Sequence, residues 1–198
     1  MFSGIIKSIG QVQSISDIGT TKRITIASSL SNSFSIDQSV AHDGVCLTIV
    51  EVSNGEHVVE AVAETLSKTT FDKLEKGQFL NLETSISVNT LLDGHIVQGH
   101  VDSCLTCINI EDKNGSWLFT FSLPKTFAAL VIDRGSVCLN GVSLTVANLH
   151  ENSFDVAIIP YTFENTNFKH LRTNHQVNVE FDVIGKYLNR LAQVNQSL

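Results

Sequence analysis

Apolar and polar residues alternate in short runs along most of the chain. In "GQVQSISD", "KRITIAS", "CLTIVEV", "HVVEAVA" and "QFLNLET", β-branched and apolar residues recur at short intervals, and Gly, Asn and Asp punctuate the runs. That composition and period predict half-buried strands. The first half of the chain alone holds five or six of them. A small sheet leaves open edges unless it closes on itself, so the expected unit is a small closed β-barrel. Two helical interruptions are expected. "TTFDKLEKG" offers a Thr cap, Phe71 and Leu74 three residues apart, and a Gly stop at 77. "PKTFAALVIDRG" has Pro124 near a helix start.

The pattern occurs twice. "DGVCLTIV" at 43–50 returns as "NGVSLTVA" at 140–147, with Cys46 replaced by Ser143. "ETLSKTTFDKLEKGQFLNLE" at 64–83 aligns without a gap to "YTFENTNFKHLRTNHQVNVE" at 161–180. The openings "MFSGII" and "IVQGHV" also superpose, Gly4 over Gly99, at a slightly different offset. Internal repetition decides architecture. The chain reads as mainly β, with two homologous barrels in tandem, 1–92 and 95–182, followed by a C-terminal α-helix over 183–198. That tail, "DVIGKYLNRLAQVNQ", places Ile184, Tyr187, Leu188, Leu191 and Val194 on one stripe, with Asp182 as cap. An apolar stripe needs a partner surface, and self-association is the favoured one.

Composition narrows the partners. A formal charge of −7 with no Lys/Arg run argues against nucleic acid. No stretch approaches a membrane span and the N-terminus lacks a signal-peptide pattern, so a cytoplasmic protein is expected. The four cysteines then read as free thiols. "CLTC" at 104–107 has the spacing of a metal knuckle but no second ligand pair. In a strand its two thiols face opposite ways, so no metal is expected.

The ordered set "MFSGII", "DGVCLT", "ETL", "GHIVQGHVD", "GVSLTV", "IIPYT" and "VNVE" resembles the riboflavin synthase family of tandem lumazine-binding barrels, over essentially the whole chain. The resemblance implies a transferase of riboflavin biosynthesis. Two molecules of 6,7-dimethyl-8-ribityllumazine dismutate by four-carbon transfer to riboflavin and 5-amino-6-(ribitylamino)uracil, with no metal or organic cofactor. It also implies a homotrimer held by the C-terminal helix, with the active site between the N-barrel of one subunit and the C-barrel of a neighbour. Two like pockets for two copies of one molecule suit such a reaction, because holding both rings together removes the entropic barrier of a bimolecular step.

Motif by motif, the resemblance assigns the N-barrel pocket to Gly4, Ile5 and Ile6, to Cys46, Leu47 and Thr48, and to Glu60, Ala61, Val62, Ala63, Glu64 and Thr65. The C-barrel pocket takes Gly99, His100 and Val101, then Ser143, Leu144 and Thr145, then Ala157, Ile158, Ile159, Pro160, Tyr161 and Thr162. Strand-end backbone groups and Thr hydroxyls match the donors and acceptors of a pteridine edge. Thr65 and Thr162 also read as helix caps.

Cys46 is the sharpest candidate, either as nucleophile at the donor lumazine, with water as the alternative, or as a small buried hydrophobe. Ser143, helped by Thr145, reads as a group that polarises the ring or positions a water, or as an ordinary strand serine. His100 is a candidate base or orienter, since imidazole exchanges protons near neutral pH. His95 reads as structural. Ser39 is associated with catalysis by the resemblance alone. Arg134 stands where the family has Lys, and Asn140 where the family has an ionisable Asp. The competing function is a non-catalytic lumazine- or flavin-binding protein of the same fold. Retention of Cys46, Ser143, His100 and both threonines favours the enzyme.

Overall fold

In a computed structural model, described for residues 1–196, the chain forms two closed antiparallel β-barrels followed by a helix. The first barrel comprises β1 (Ser8–Ile18), β2 (Thr21–Ala27), β3 (Ser39–His42), β4 (Val45–Ser53), β5 (Glu56–Ala61) and β6 (Phe79–Thr84). The second comprises β7 (Ser103–Asp112), β8 (Trp117–Ser122), β9 (Ser136–Leu139), β10 (Val142–Leu149), β11 (Ser153–Ile158) and β12 (Gln176–Phe181). The ring orders β1-β2-β5-β4-β3-β6 and β7-β8-β11-β10-β9-β12 are the same circuit, so the sequence repeat is a structural repeat. Both barrels are bulged at matching points, between Val12 and Ser14 in the first and between Cys107 and Asn109 in the second. Such bulges bend a strand around a tight barrel.

The inward positions build one core per barrel. In the first, Val12, Ile24, Ile26, Val40, Ile49 and Leu82 are fully buried. In the second, Phe119, Phe121, Phe154, Phe168 and Phe181 dominate. Each such side chain contributes about 1.5–3 kcal/mol on burial. Cys107 lies inside this core, while Cys104 sits on the outside with its sulfur toward Asn178 and the Lys68 carbonyl. The two thiols of "CLTC" therefore face apart, as strand alternation requires.

The Thr cap expected in "TTFDKLEKG" forms, at Thr69, but it opens a 3-10 turn, and the caps expected at Thr65 and Thr162 do not form. α1 (Ala63–Lys68) and α2 (Pro160–Asn165) start right after β5 and β11, and the Phe71 and Phe168 segments are 3-10 turns. Thr65 and Thr162 lie inside these helices. The caps are Thr69 and Thr166, whose hydroxyls accept from the N–H groups of Phe71 and Phe168. "PKTFAAL" likewise forms a 3-10 turn over Lys125–Leu130. Here i,i+3 spacing reflects the tighter helix. The tail is α3 (Val183–Gln196), with Asp182 accepting from the Ile184 N–H as its cap. Ser197 and Leu198, the end of the expected tail segment, lie outside the described residues.

The barrels meet around a pseudo-two-fold axis. The β3–β4 and β9–β10 hairpin turns, Asp43-Gly44 and Asn140-Gly141, touch there; a Cβ on either glycine would stand 2.8 Å from the other's nitrogen. The Asn81 side-chain amide donates to the Asn140 carbonyl and accepts from Asn167 N–H (2.8 and 2.7 Å). Asn178 does the same with the Asp43 carbonyl and Thr70 N–H (2.9 and 2.8 Å).

Three buried titratable groups of the first barrel break this symmetry. Ser31, His57 and His42 form a buried file of hydrogen bonds (2.8 and 2.9 Å) that ends on the Val40 carbonyl. The aligned positions of His42 and His57 in the second barrel are Leu139 and Phe154. Burial holds His42 at about 3, with His57 pushing the same way, and burial holds His57 at about 4. Asp43 corresponds to Asn140, and burial lifts its carboxyl to about 8 against bonds from Asn81 and Asn167.

The signs oppose. The histidines titrate lower folded than unfolded, so their stabilisation is present above pH 6.5 and lost as pH falls toward 4. Asp43 titrates higher folded than unfolded, so its contribution is present below pH 3.8 and lost as pH rises through 8. Urea unfolding should therefore weaken from pH 6.5 to 8 by up to about 1.4 kcal/mol per pH unit, and Asp43→Asn should flatten that limb. An unchanged slope would mean that Asp43 is ionised in the fold. On the acid side, Ser31→Ala/His42→Leu/His57→Phe should reduce the loss between pH 6.5 and 4; an acid limb as steep as wild type would clear the histidines of that role.

Candidate functional site

The two motif strands, β4 and β10, alternate between core and surface. Val45, Leu47 and Ile49 point into the barrel, which leaves Cys46 and Thr48 on the outer face. Ser39 on β3 lies directly opposite Thr48, and Ala41 opposite Cys46. In the second barrel Ser143 and Thr145 take the outer face, with Ser136 opposite Thr145. Ser136 is thus the counterpart of Ser39, a residue the sequence reading did not single out. Its signal was present, because the offset of 97 that aligns the motifs also aligns these serines.

Alternation also corrects the expected linings. The side chains of Leu47, Ala61 and Ile158 are buried in the barrel cores, so only their backbone groups can face a ligand. Glu60 faces outward, but its carboxylate is paired with Arg23 at 2.8 Å. Val62, Ala63 and Glu64, and likewise Ile159, Pro160 and Tyr161, turn from strand to helix at the open end of each motif face and are exposed. Ala157 is exposed on the outer side of β11. Arg134 is an exposed turn residue with a left-handed backbone (φ 63°) whose N–H donates to the Val146 carbonyl.

The largest correction concerns the segments that open each half. The expected grouping joined Gly4, Ile5 and Ile6 to Cys46, and Gly99, His100 and Val101 to Ser143. The structure exchanges them. The Ser143 N–H donates to the Gly4 carbonyl at 2.8 Å, and the Cys46 N–H donates to the Gly99 carbonyl at 2.9 Å. Ile6 packs on the second barrel's core and Val101 on the first's. Each opening segment is a strap that leaves its own barrel and lies on the motif strand of the other. The straps cross as a two-residue antiparallel bridge, Phe2 with Val97, and bury Phe2, Val97, Ala41 and Cys138 with Cys46 packed against them.

Sequence and electrostatics fix the straps. Gly4 and Gly99 have φ of 77° and 82°, and a Cβ there would fall 2.5 Å from Ser143 Cβ or 2.6 Å from Cys46 Cβ. Both the backbone sign and the space demand glycine. Glu83, near the end of β6, accepts from Ser3 N–H, Ser3 O–H and Gly4 N–H (2.8, 2.7 and 3.0 Å). Glu180, near the end of β12, accepts from the N–H groups of Gln98, Gly99 and His100 (2.6, 2.9 and 2.8 Å). Burial raises both carboxyls and these donors pull them back down. The glutamates of the two "VNVE"-type strands, which no site reading had singled out, are thus the anchors of the straps.

The two motif positions differ in their surroundings. Among the described residues the Cys46 thiol has no hydrogen-bond partner, and it is half-buried. The Ser143 hydroxyl lies 2.7 Å from His95 Nδ1. His100 is exposed beside Gly99, on the strap over the Cys46 strand. A cavity of about 670 Å³ between the barrels, lined by Lys73, Phe79, His170 and His175 among others, contains none of the residues expected to bind substrate. No group of metal ligands forms among the described residues.

Known proteins agree with this architecture. The lumazine-binding domain model matches twice, at residues 3–85 and 98–182. The riboflavin synthase of Bacillus amyloliquefaciens is 35% identical over 96% of this chain and 89% of its own length. That of Brucella abortus is 34% identical over 98% of both. Among solved structures, LumP complexed with riboflavin superposes with a TM-score of 0.86 at 24% identity, over 91% of this chain and 99% of LumP, a likeness of fold. Two matched domains, two barrels of one circuit and relatives aligned nearly end to end place the chain in the riboflavin synthase family of tandem lumazine-binding proteins.

Proposed function

We propose that the protein is a riboflavin synthase, a transferase that converts two molecules of 6,7-dimethyl-8-ribityllumazine into riboflavin and 5-amino-6-(ribitylamino)uracil by four-carbon transfer. The observation that carries this reading is the pair of like-built outer faces, Ser39/Cys46/Thr48 and Ser136/Ser143/Thr145, each covered by a strap from the other half. A reaction between two copies of one molecule is served by two such faces. The units 1–92 and 95–182 each bind one lumazine.

Within each face, strand-end backbone groups and the hydroxyls of Thr48 and Thr145 read the pteridine edge. The turns at 60–65 and 157–162 close the rim, and Arg134 contributes charge beside the second. Cys46, with no hydrogen bond among the described residues to break, is the nucleophile toward the donor lumazine, and the donor then lies on the first barrel. His100, on the strap beside it, moves the proton. Ser39 orients the ligand opposite Thr48.

The stripe of α3 leaves Ile184, Tyr187, Leu188 and Leu191 at 59–70% exposure. Burial of these side chains in a homotrimer brings the N-barrel of one subunit against the C-barrel of the next. No helix of the described residues is long and apolar enough to cross a membrane. Four free cysteines fit a reducing cytoplasm.

Purified protein mixed with 6,7-dimethyl-8-ribityllumazine should produce riboflavin, followed by its absorbance and fluorescence. Tight lumazine binding without riboflavin would replace the enzyme with a binding protein. Cys46→Ser should lower kcat about tenfold or more; near-normal turnover would assign the attack to water. A chain ending at Asp182 should remain folded and sediment as a monomer, and a trimer from that truncated chain would refute the role of α3.

A further inference from the structure

The second motif strand holds a histidine that the first lacks. His95 stands just ahead of Ile96, where the alignment with Met1 begins, so it has no counterpart in the first half. Its backbone N–H donates to the Ser3 carbonyl at 3.2 Å, which fixes it to the opposite strap. Its side chain reaches Ser143 Oγ at 2.7 Å, and the residue is only 8% exposed. The preceding Gly94 fits closely: a Cβ there would meet the Ser3 carbonyl and the Ser143 side chain. The pair is therefore built into the crossing of the straps.

The charge state of the ring narrows the roles open to it in this bond. Burial lowers the His95 pKa while the nearby Asp182 carboxylate opposes this, so the ring is neutral at neutral pH. A neutral imidazole has one donor and one acceptor nitrogen. In the tautomer that carries its proton on Nε2, Nδ1 is free to accept. Nδ1 is then the acceptor, and the Ser143 O–H donates to it. A serine whose proton is committed can only accept from a further partner.

We propose that His95, in its Nε2–H tautomer, is a positioning residue that makes Ser143 a fixed hydrogen-bond acceptor for a donor group of the ligand on the second barrel, a ring imide N–H or a ribityl hydroxyl. Ser143 shares its strand face with Thr145, two residues on, so its free lone pairs and the Thr145 hydroxyl address the same ligand. Cys46 on the first barrel offers a weak acceptor that no hydrogen bond among the described residues orients. The two faces thus differ in what they can recognise, although their backbones match. This assignment rests on the reading of both faces as lumazine sites, and it does not require turnover.

The test is a fluorescence titration of the full-length protein with 6,7-dimethyl-8-ribityllumazine, alongside steady-state kinetics. His95→Ala and Ser143→Ala should each weaken one of the two sites about tenfold, the worth of one hydrogen bond, and leave the other unchanged. KM should rise to match in both variants. The double variant should be no worse than either single one, as expected for residues acting through one contact. His95→Asn, whose side-chain oxygen can stand in for Nδ1, should recover most of the affinity. A wild type that binds two lumazines but makes no riboflavin would sink the enzyme reading while leaving this titration decisive. Wild-type affinity at both sites in His95→Ala, a lowered Tm without any change in affinity, or additive losses in the double variant would each overturn the proposal.

Discussion

The arrangement depends on two buried carboxylates, each gathering the backbone N–H groups of a strap. A carboxylate removed from water without partners is strongly destabilising. So is a run of buried N–H groups without acceptors. Glu83 and Glu180 solve both problems at once, at equivalent places in the two barrels. Once a strap is held at its root, its glycine carbonyl reaches the opposite motif strand, and Phe2 and Val97 fill the space between the barrels. The placement of Cys46 and Ser143 follows from that contact.

Much of the architecture was legible because the repeat doubled every signal. Alternating runs gave the strands, and the aligned halves gave two barrels of one circuit. The exchange of straps was not legible. A repeat aligns "MFSGII" with "IVQGHV" whether each segment lies on its own barrel or on the other, because residue identity says nothing about which copy a segment crosses to. The helix starts were misplaced for a different reason. Threonines at 65, 69, 162 and 166 all look like caps, and only the backbone shows that the second of each pair precedes a 3-10 turn. The Ser143–His95 bond was not legible because His95 stands just ahead of the aligned repeat and has no counterpart in the first half. Leu47, Ala61 and Ile158 looked like lining residues because a contiguous motif was read whole, whereas a strand offers only alternate side chains to one face.

The two barrels have diverged inside as well as outside. The second is filled with phenylalanine, including Phe154, where the first has His57 in a file of polar groups. At the axis the first barrel contributes a carboxyl, Asp43, and the second an amide, Asn140. Asn167 answers this difference, since its side-chain amide donates to the Asp43 carboxyl (2.9 and 3.1 Å) while Thr70 stands at the aligned position. Symmetry of the backbone is kept by the identical pairs Asn81/Asn178 and Glu83/Glu180, whose side chains bond main-chain groups, and the other side chains are free to differ.

The crossed straps also bear on how such a chain can change over generations. Each motif strand is covered by a segment encoded in the other half, so a substitution at Gly4 is felt at Ser143 and one at Gly99 is felt at Cys46. Neither half can be traded for a distant homologue, or mutated freely behind an intact twin, without carrying a mismatched strap onto its neighbour. Duplication ordinarily releases one copy from constraint. Here the exchange binds the copies into a single unit of inheritance, and beneath the straps the motif strands differ at positions 46 and 143, where the strap bonds to backbone and leaves the side-chain heteroatom open to choice.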